Sequence, residues 1–128
     1  MLGRRARLGV MELEHVSLVD SFVLSIESDE SYVAFELDAA LETAHERFYE
    51  PPRPGENGAY AHLRWCLRGE VWWNEGPHLD RPAIGADGER DFGGIDVWFS
   101  EGDVDHLEGE WGEVAVRGAV QTVEYLSP

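Results

Sequence analysis

Five histidines, one cysteine and 26 acidic side chains are the groups in this 128-residue sequence that could do chemistry. The histidines are His15, His45, His62, His78 and His106. None stands at metal-ligand spacing, for there is no HxH, no HExxH and no paired CxxC. His78 with Asp80 comes nearest to a zinc pair, and His45 falls on an inward position at a strand end, where a hydrogen-bonded structural role is ordinary. Asp87, Glu89 and Asp91 space acids as a calcium loop does, but the twelfth position is Trp98, where an EF-hand needs a bidentate Glu. Cys66 shares a stretch with His62 and Arg64, a setting that favours a thiolate, yet no nucleophile motif surrounds it. Asp91-Phe92-Gly93 matches a kinase triplet in letters only, because the sequence has no lysine, no glycine-rich loop and no HRD motif. With 26 acids some carboxylate pair must lie close, so such a pair carries no information. The sequence therefore specifies no catalytic residue, no metal-ligand set and no cofactor site.

It supplies instead aromatic and acidic surface. Of five tryptophans, Trp65 and Trp111 take inward parity in their strands, while the adjacent Trp72 and Trp73 must point to opposite faces. Trp98 alternates with Ile95, Val97 and Phe99, which share the other parity. Asp103, Asp105, Glu108 and Glu110 follow closely. Exposed aromatics flanked by acids compose a protein-binding patch, and this makes Trp72, Trp73, Trp98, Asp103, Asp105 and Glu108 the candidate binding residues. The competing use of those tryptophans is to fill the far side of a sheet or a barrel mouth.

The formal charge is −16, and from Met11 onward 26 acids stand against seven arginines, a net −19. Such a surface repels phosphate backbones and anionic lipid, which argues against nucleic-acid and membrane partners. It attracts a basic protein, and it also keeps a molecule soluble. A lone Cys66 forbids an internal disulfide and fits a reducing cytoplasm; no 18-residue apolar run or signal-peptide core exists.

The elements that must carry these groups read as strands. Residues 1–10 (MLGRRARLGV) form a flexible basic arm, with Met11 an alternative start, and residues 11–128 form one β-rich domain. Ser31–Glu46 alternates apolar and polar residues throughout, with Val33, Phe35, Leu37, Ala39 and Leu41 inward. A rival helical spacing (Leu37, Leu41, Ala44, Phe48) allows one short helix over 38–48. Leu18–Glu27, with Phe22, Leu24 and Ile26 inward, pairs with it through the turn Ser28-Asp29-Glu30. Phe48–Gly58 is a proline-rich loop; Ala59–Gly69 then points Leu63, Trp65 and Leu67 inward and sets Arg64 and Arg68 against the acids of the preceding strand. Glu70–Trp73 extends it and Asn74–Arg90 is a second loop. Gly94–Glu101, Val104–Trp111 and Ala119–Leu126 are further strands, with turns at Gly102-Asp103 and Gly118 and a turn or bulge at Gly112. The fold class is all-β: an antiparallel meander forming a sandwich or half-open barrel.

From His15 through Leu18–Glu27, and again over Asp91–Arg117 (DFGGIDVWFSEGDVDHLEGEWGEVAVR), the sequence resembles small β-rich domains of actinobacterial type. More loosely, it is similar to immunity proteins of bacterial polymorphic toxin systems. That resemblance implies a non-enzymatic protein that sequesters a partner, and it transfers no catalytic residue. The expected function is an acidic protein-binding domain acting on a basic protein. The other reading is a small-molecule-binding or enzymatic half-barrel, its cavity lined by the aromatics and His62 and capped by loops 48–58 and 74–90.

Overall fold

A computed structural model describes residues 13–79, 83–84 and 90–126. The basic arm, Asp80, Asp87 and Glu89 lie outside the described residues. Eight strands occur in order: β1 (Val16–Asp29), β2 (Tyr32–Leu41), β3 (Tyr60–Glu75), β4 (Ala83–Ile84), β5 (Arg90–Asp91), β6 (Val97–Glu101), β7 (Val104–Gly109) and β8 (Gly112–Tyr125). Six form one antiparallel sheet in the order β1-β2-β3-β8-β7-β6, which does not close into a barrel; β4 and β5 pair separately. No helix occurs among the described residues, so none is long and apolar enough to cross a membrane.

Period-2 patterning builds β2. Val33, Phe35, Leu37 and Ala39 are wholly buried, while Glu36, Asp38 and Ala40 between them keep contact with solvent. The strand stops at Leu41, not Glu46. The Glu42 amide donates to the His15 carbonyl, and the chain then folds into successive turns in which His45 N–H bonds Glu42 O and Phe48 N–H bonds His45 O. The short helix over 38–48 is therefore absent.

Bulges correct the simple parity elsewhere. In β1 the inward residue is Val23, not Phe22 or Leu24, because the pairing with β2 slips between Ser17 and Phe22 and again between Val23 and Ser25. Buried Ser21 serves the first slip: its hydroxyl accepts from Ala40 N–H at 2.9 Å and donates to Ser17 O at 2.7 Å. After the second slip Ile26 returns to the inner side opposite Phe35, as its parity predicts. In β8, Gly118 is not a turn. The register runs from Arg68↔Val120 to Glu70↔Arg117, so Gly118 and Ala119 together oppose Gly69, and Gly118 takes φ +66°. One strand thus continues through Gly112–Tyr125, where two pieces were expected.

The apolar side chains of this single sheet gather on its inner face. Trp65 on β3 meets Trp98 on β6 edge-on at 4.8 Å between ring centroids. Those strands stand three places apart, about 14 Å across a flat sheet. The sheet must therefore curl, and Phe35, Trp73 and Trp111 fill the curl through edge contacts at 5.0 and 6.0 Å. The segment Phe92–Ile95 closes the β1 side. Phe92 N–H and Val23 N–H exchange bonds with Val23 O and Gly93 O, and Ile95 N–H bonds Leu18 O. Trp111 Nε1 donates to Gly94 O at 2.9 Å, which ties that segment to the core.

Candidate functional site

On the outer face of β3, β8, β7 and β6 the register aligns one residue from each strand: Trp72↔Ala115, Ala115↔His106 and His106↔Phe99. Ala115 is wholly buried within that row. The imidazole of His106 stacks on Phe99 at 4.7 Å with 14° between the planes, and Phe99 remains 46% exposed. Val97, two residues earlier on the same face, is 38% exposed. The result is an apolar and aromatic stripe lying across four strands.

Carboxylates border it on both sides. One neighbouring row carries Glu70, Arg117, Val104 and Glu101; the other carries Glu113, Glu108 and Val97. Arg117 lies 3.7 Å from Glu70 and 3.9 Å from Asp103, and its guanidinium sits over the Trp72 ring at 5.6 Å. His106 Nε2 is 3.6 Å from Glu101. Glu108 faces Glu113 directly, and Glu113 faces Glu75 in turn. Like charges opposed across strands disfavour ionisation. The Glu108 carboxyl is accordingly raised above its ordinary pKa, first by desolvation and then by Glu113. Glu75, Glu113 and Glu108 thus form a row of cross-strand carboxylates, entered through a register shift at Glu75, in which Glu75 meets His78 Nε2 at 3.0 Å and Glu113 accepts from Asn74 Nδ2 at 3.1 Å.

Trp72, Asp103 and Glu108 belong to this outer face, but Trp73, Trp98 and Asp105 point inward. Trp73 packs on the core and donates its indole N–H to Ser28 Oγ at 3.1 Å. Asp105 is 5% exposed and joins a buried polar chain: Trp65 Nε1 donates to Gln121 Oε1, Gln121 Nε2 to Asp105 Oδ2, and Ser100 Oγ to Asp105 Oδ1. Burial pushes the Asp105 carboxyl up, against the downward pull of the Ser100 and Gln121 hydrogen bonds. Trp98 Nε1 is buried without a hydrogen-bond partner among the described residues.

Phe99 and His106 are the residues that parity reasoning missed. The signal was present: with Gly102-Asp103 as a two-residue turn, Glu101 opposes Val104 and Trp98 opposes Leu107. Leu107 is wholly buried, so Trp98 goes inward with it and Phe99 goes out.

The other chemical candidates find structural places. His45 is buried; its Nδ1 accepts from Arg47 N–H at 3.0 Å and its Nε2 bonds the Tyr125 hydroxyl at 3.0 Å. Nδ1 as acceptor fixes the tautomer with the proton on Nε2, and burial pushes the ring's pKa down. His45 and Tyr125 line an open cleft of about 430 Å³ with Glu14, His15 and Glu46. His62 lies on the outer face, 2.5 Å from Glu36 of β2, whereas Arg64 passes over β2 to reach Glu27 of β1 at 3.1 Å and Arg68 lies over the Tyr32 ring at 5.5 Å. The arginines therefore do not make the ion pairs with β2 acids that the sequence suggested. Exposed as they are, pairs such as His62–Glu36 and Arg64–Glu27 add about 0.2–1 kcal/mol each. Cys66 is buried. No group of three or more potential metal ligands is present among the described residues.

No family model, no curated protein and no solved structure matches the sequence.

Proposed function

We propose that this is an acidic protein-binding domain whose outer β3-β8-β7-β6 face receives a basic protein, in the manner of an immunity-type neutraliser. One observation carries the reading. The inner face is filled by Trp65, Trp98, Trp111, Phe35 and Leu107, while the outer face leaves Phe99, Val97 and Trp72 in reach of solvent between rows of carboxylates. A half-barrel for small molecules needs the opposite arrangement, an open interior with convergent polar groups. Trp65, Gln121, Asp105 and Ser100 on the inner side are committed to one another in a single hydrogen-bonded chain, the Trp98 indole is packed edge-on against Trp65, and His62 lies on the other side of the sheet.

The division of labour follows from the physics of interfaces. Carboxylates at the rim speed encounter with a basic partner and make it salt-dependent, and the aromatic stripe supplies the desolvated centre. The test is retention of proteins from the source cell on wild-type protein and on Phe99→Ala/Glu108→Gln. A basic protein held by wild type, released between low and high salt and lost with the variant, is the expected result. A partner held equally by both, or indifferent to ionic strength, refutes the proposal.

A further inference from the structure

Resting on that proposal, we infer that the partner engages through strand addition: an extended, basic segment pairs, as a seventh strand, with the edge of β6 that has no neighbour among the described residues. The two edges of the sheet are treated differently. β1 is covered where Val23 and Leu18 bond the Phe92–Ile95 segment, and its pairing is broken by two bulges. These devices ordinarily keep an edge from pairing with another chain. β6 has none of them. Its five residues contain no proline and no basic residue, its register with β7 is unbroken, and among the described residues it has one neighbour only.

The chemistry of the edge indicates the occupant. Val97 and Phe99 are exposed apolar side chains on the outer side of β6, and Asp96 and Glu101 are exposed acids at its two ends. An added strand of about five residues that alternates cationic and apolar side chains would lay its arginines on the outer side, their aliphatic stems along Val97 and Phe99 and one charge beside Glu101, and turn its apolar side chains to the side of Trp98. A second copy fits poorly, because each chain carries −16 and β6 offers no cation to answer those acids. The basic strand completes the same surface that holds the Glu75–Glu113–Glu108 row.

The probe is the heptapeptide Arg-Val-Arg-Val-Arg-Val-Arg, added to the full chain and compared with the same peptide N-methylated at alternate residues. Methylation removes backbone donors and leaves charge and side chains alone. Strand addition predicts slowed amide hydrogen exchange within Val97–Glu101 and affinity about tenfold or more weaker for the methylated peptide. It also predicts loss of that protection in Val97→Lys/Phe99→Lys, a double change at exposed positions that leaves the fold intact by circular dichroism. Salt-sensitive binding of both peptides with equal affinity and no β6 protection overturns strand addition while leaving the acidic-face proposal standing. No binding of either peptide overturns both. Concentration-dependent dimers abolished by the double variant would show a second copy on this edge, and also overturn the inference.

Discussion

Neighbouring aromatics on β6 provide a sharp test of which side of the sheet is hidden. Phe99 is 46% exposed, so about half of the 1.5–3 kcal/mol that full burial of such a side chain provides is at stake. Its stacking on His106 adds a fraction of a kcal/mol, and Phe99→Ala should cost about 1 kcal/mol. Trp98, one residue earlier, packs on the core against Trp65. Truncating a core tryptophan costs about 3–5 kcal/mol, cavity included. Removing an indole N–H that has no partner returns about 1–3 kcal/mol, so at the middle of these ranges Trp98→Ala should cost about 2 kcal/mol, twice the Phe99→Ala loss. Trp98→Phe keeps the ring contact and loses the orphaned donor, and should fall below either. Urea unfolding followed by tryptophan fluorescence and circular dichroism gives all three as shifts in midpoint at constant slope. Equal losses for Phe99→Ala and Trp98→Ala would refute the assignment of faces and the binding stripe with it.

The buried Asp105 titrates above its ordinary value of 3.8, so its contribution favours folding below that value and is lost as pH rises through the raised one. Asp105→Asn should flatten this part of the stability profile and be no less stable than wild type at neutral pH, as thermal unfolding between pH 3 and 7 would register. His45 is shifted the other way: stability is lost as pH falls through 6.5, where the unfolded ring takes up a proton that the buried ring resists, and His45→Gln should remove that step from the same profile. Gly109→Ala would put a methyl 2.2 Å from Trp111 Nε1 and 2.6 Å from Gly94 O, and should cost about 1–3 kcal/mol in urea unfolding. Gly58→Ala, with open space around it, should stay within about 0.5 kcal/mol.

What the sequence revealed follows from which rules stay local. Alternation in β2 identifies its buried face, because one uninterrupted ladder faces the core on one side and solvent on the other. The cross-strand charge pairing was legible only in kind: basic residues of β3 do meet acids of β2 and β1, but His62 takes Glu36 and Arg64 reaches past β2 to Glu27, because arginine reach and not register selects the partner. Bulges defeat the same rule. One extra residue at Leu24 or at Gly118 reverses parity beyond it, and the closing contacts that demand it come from distant strands. The acidic and aromatic character of the site was visible in composition. Its membership was not: Trp72, Asp103 and Glu108 lie on the outer face, whereas Trp73, Trp98 and Asp105 point into the interior, and Phe99 and His106 emerge from the β6–β7 register.

The most direct measurement of the central claim is a titration of ¹⁵N-labelled protein with the arginine-valine heptapeptide, followed by chemical-shift mapping. The account predicts the largest changes at the Trp72 indole and at the amides of Val97, Phe99, His106, Glu108 and Glu113, all fading as salt is raised. Changes centred on His15, His45 and Tyr125, or spread evenly over the acids of the sheet, would contradict it.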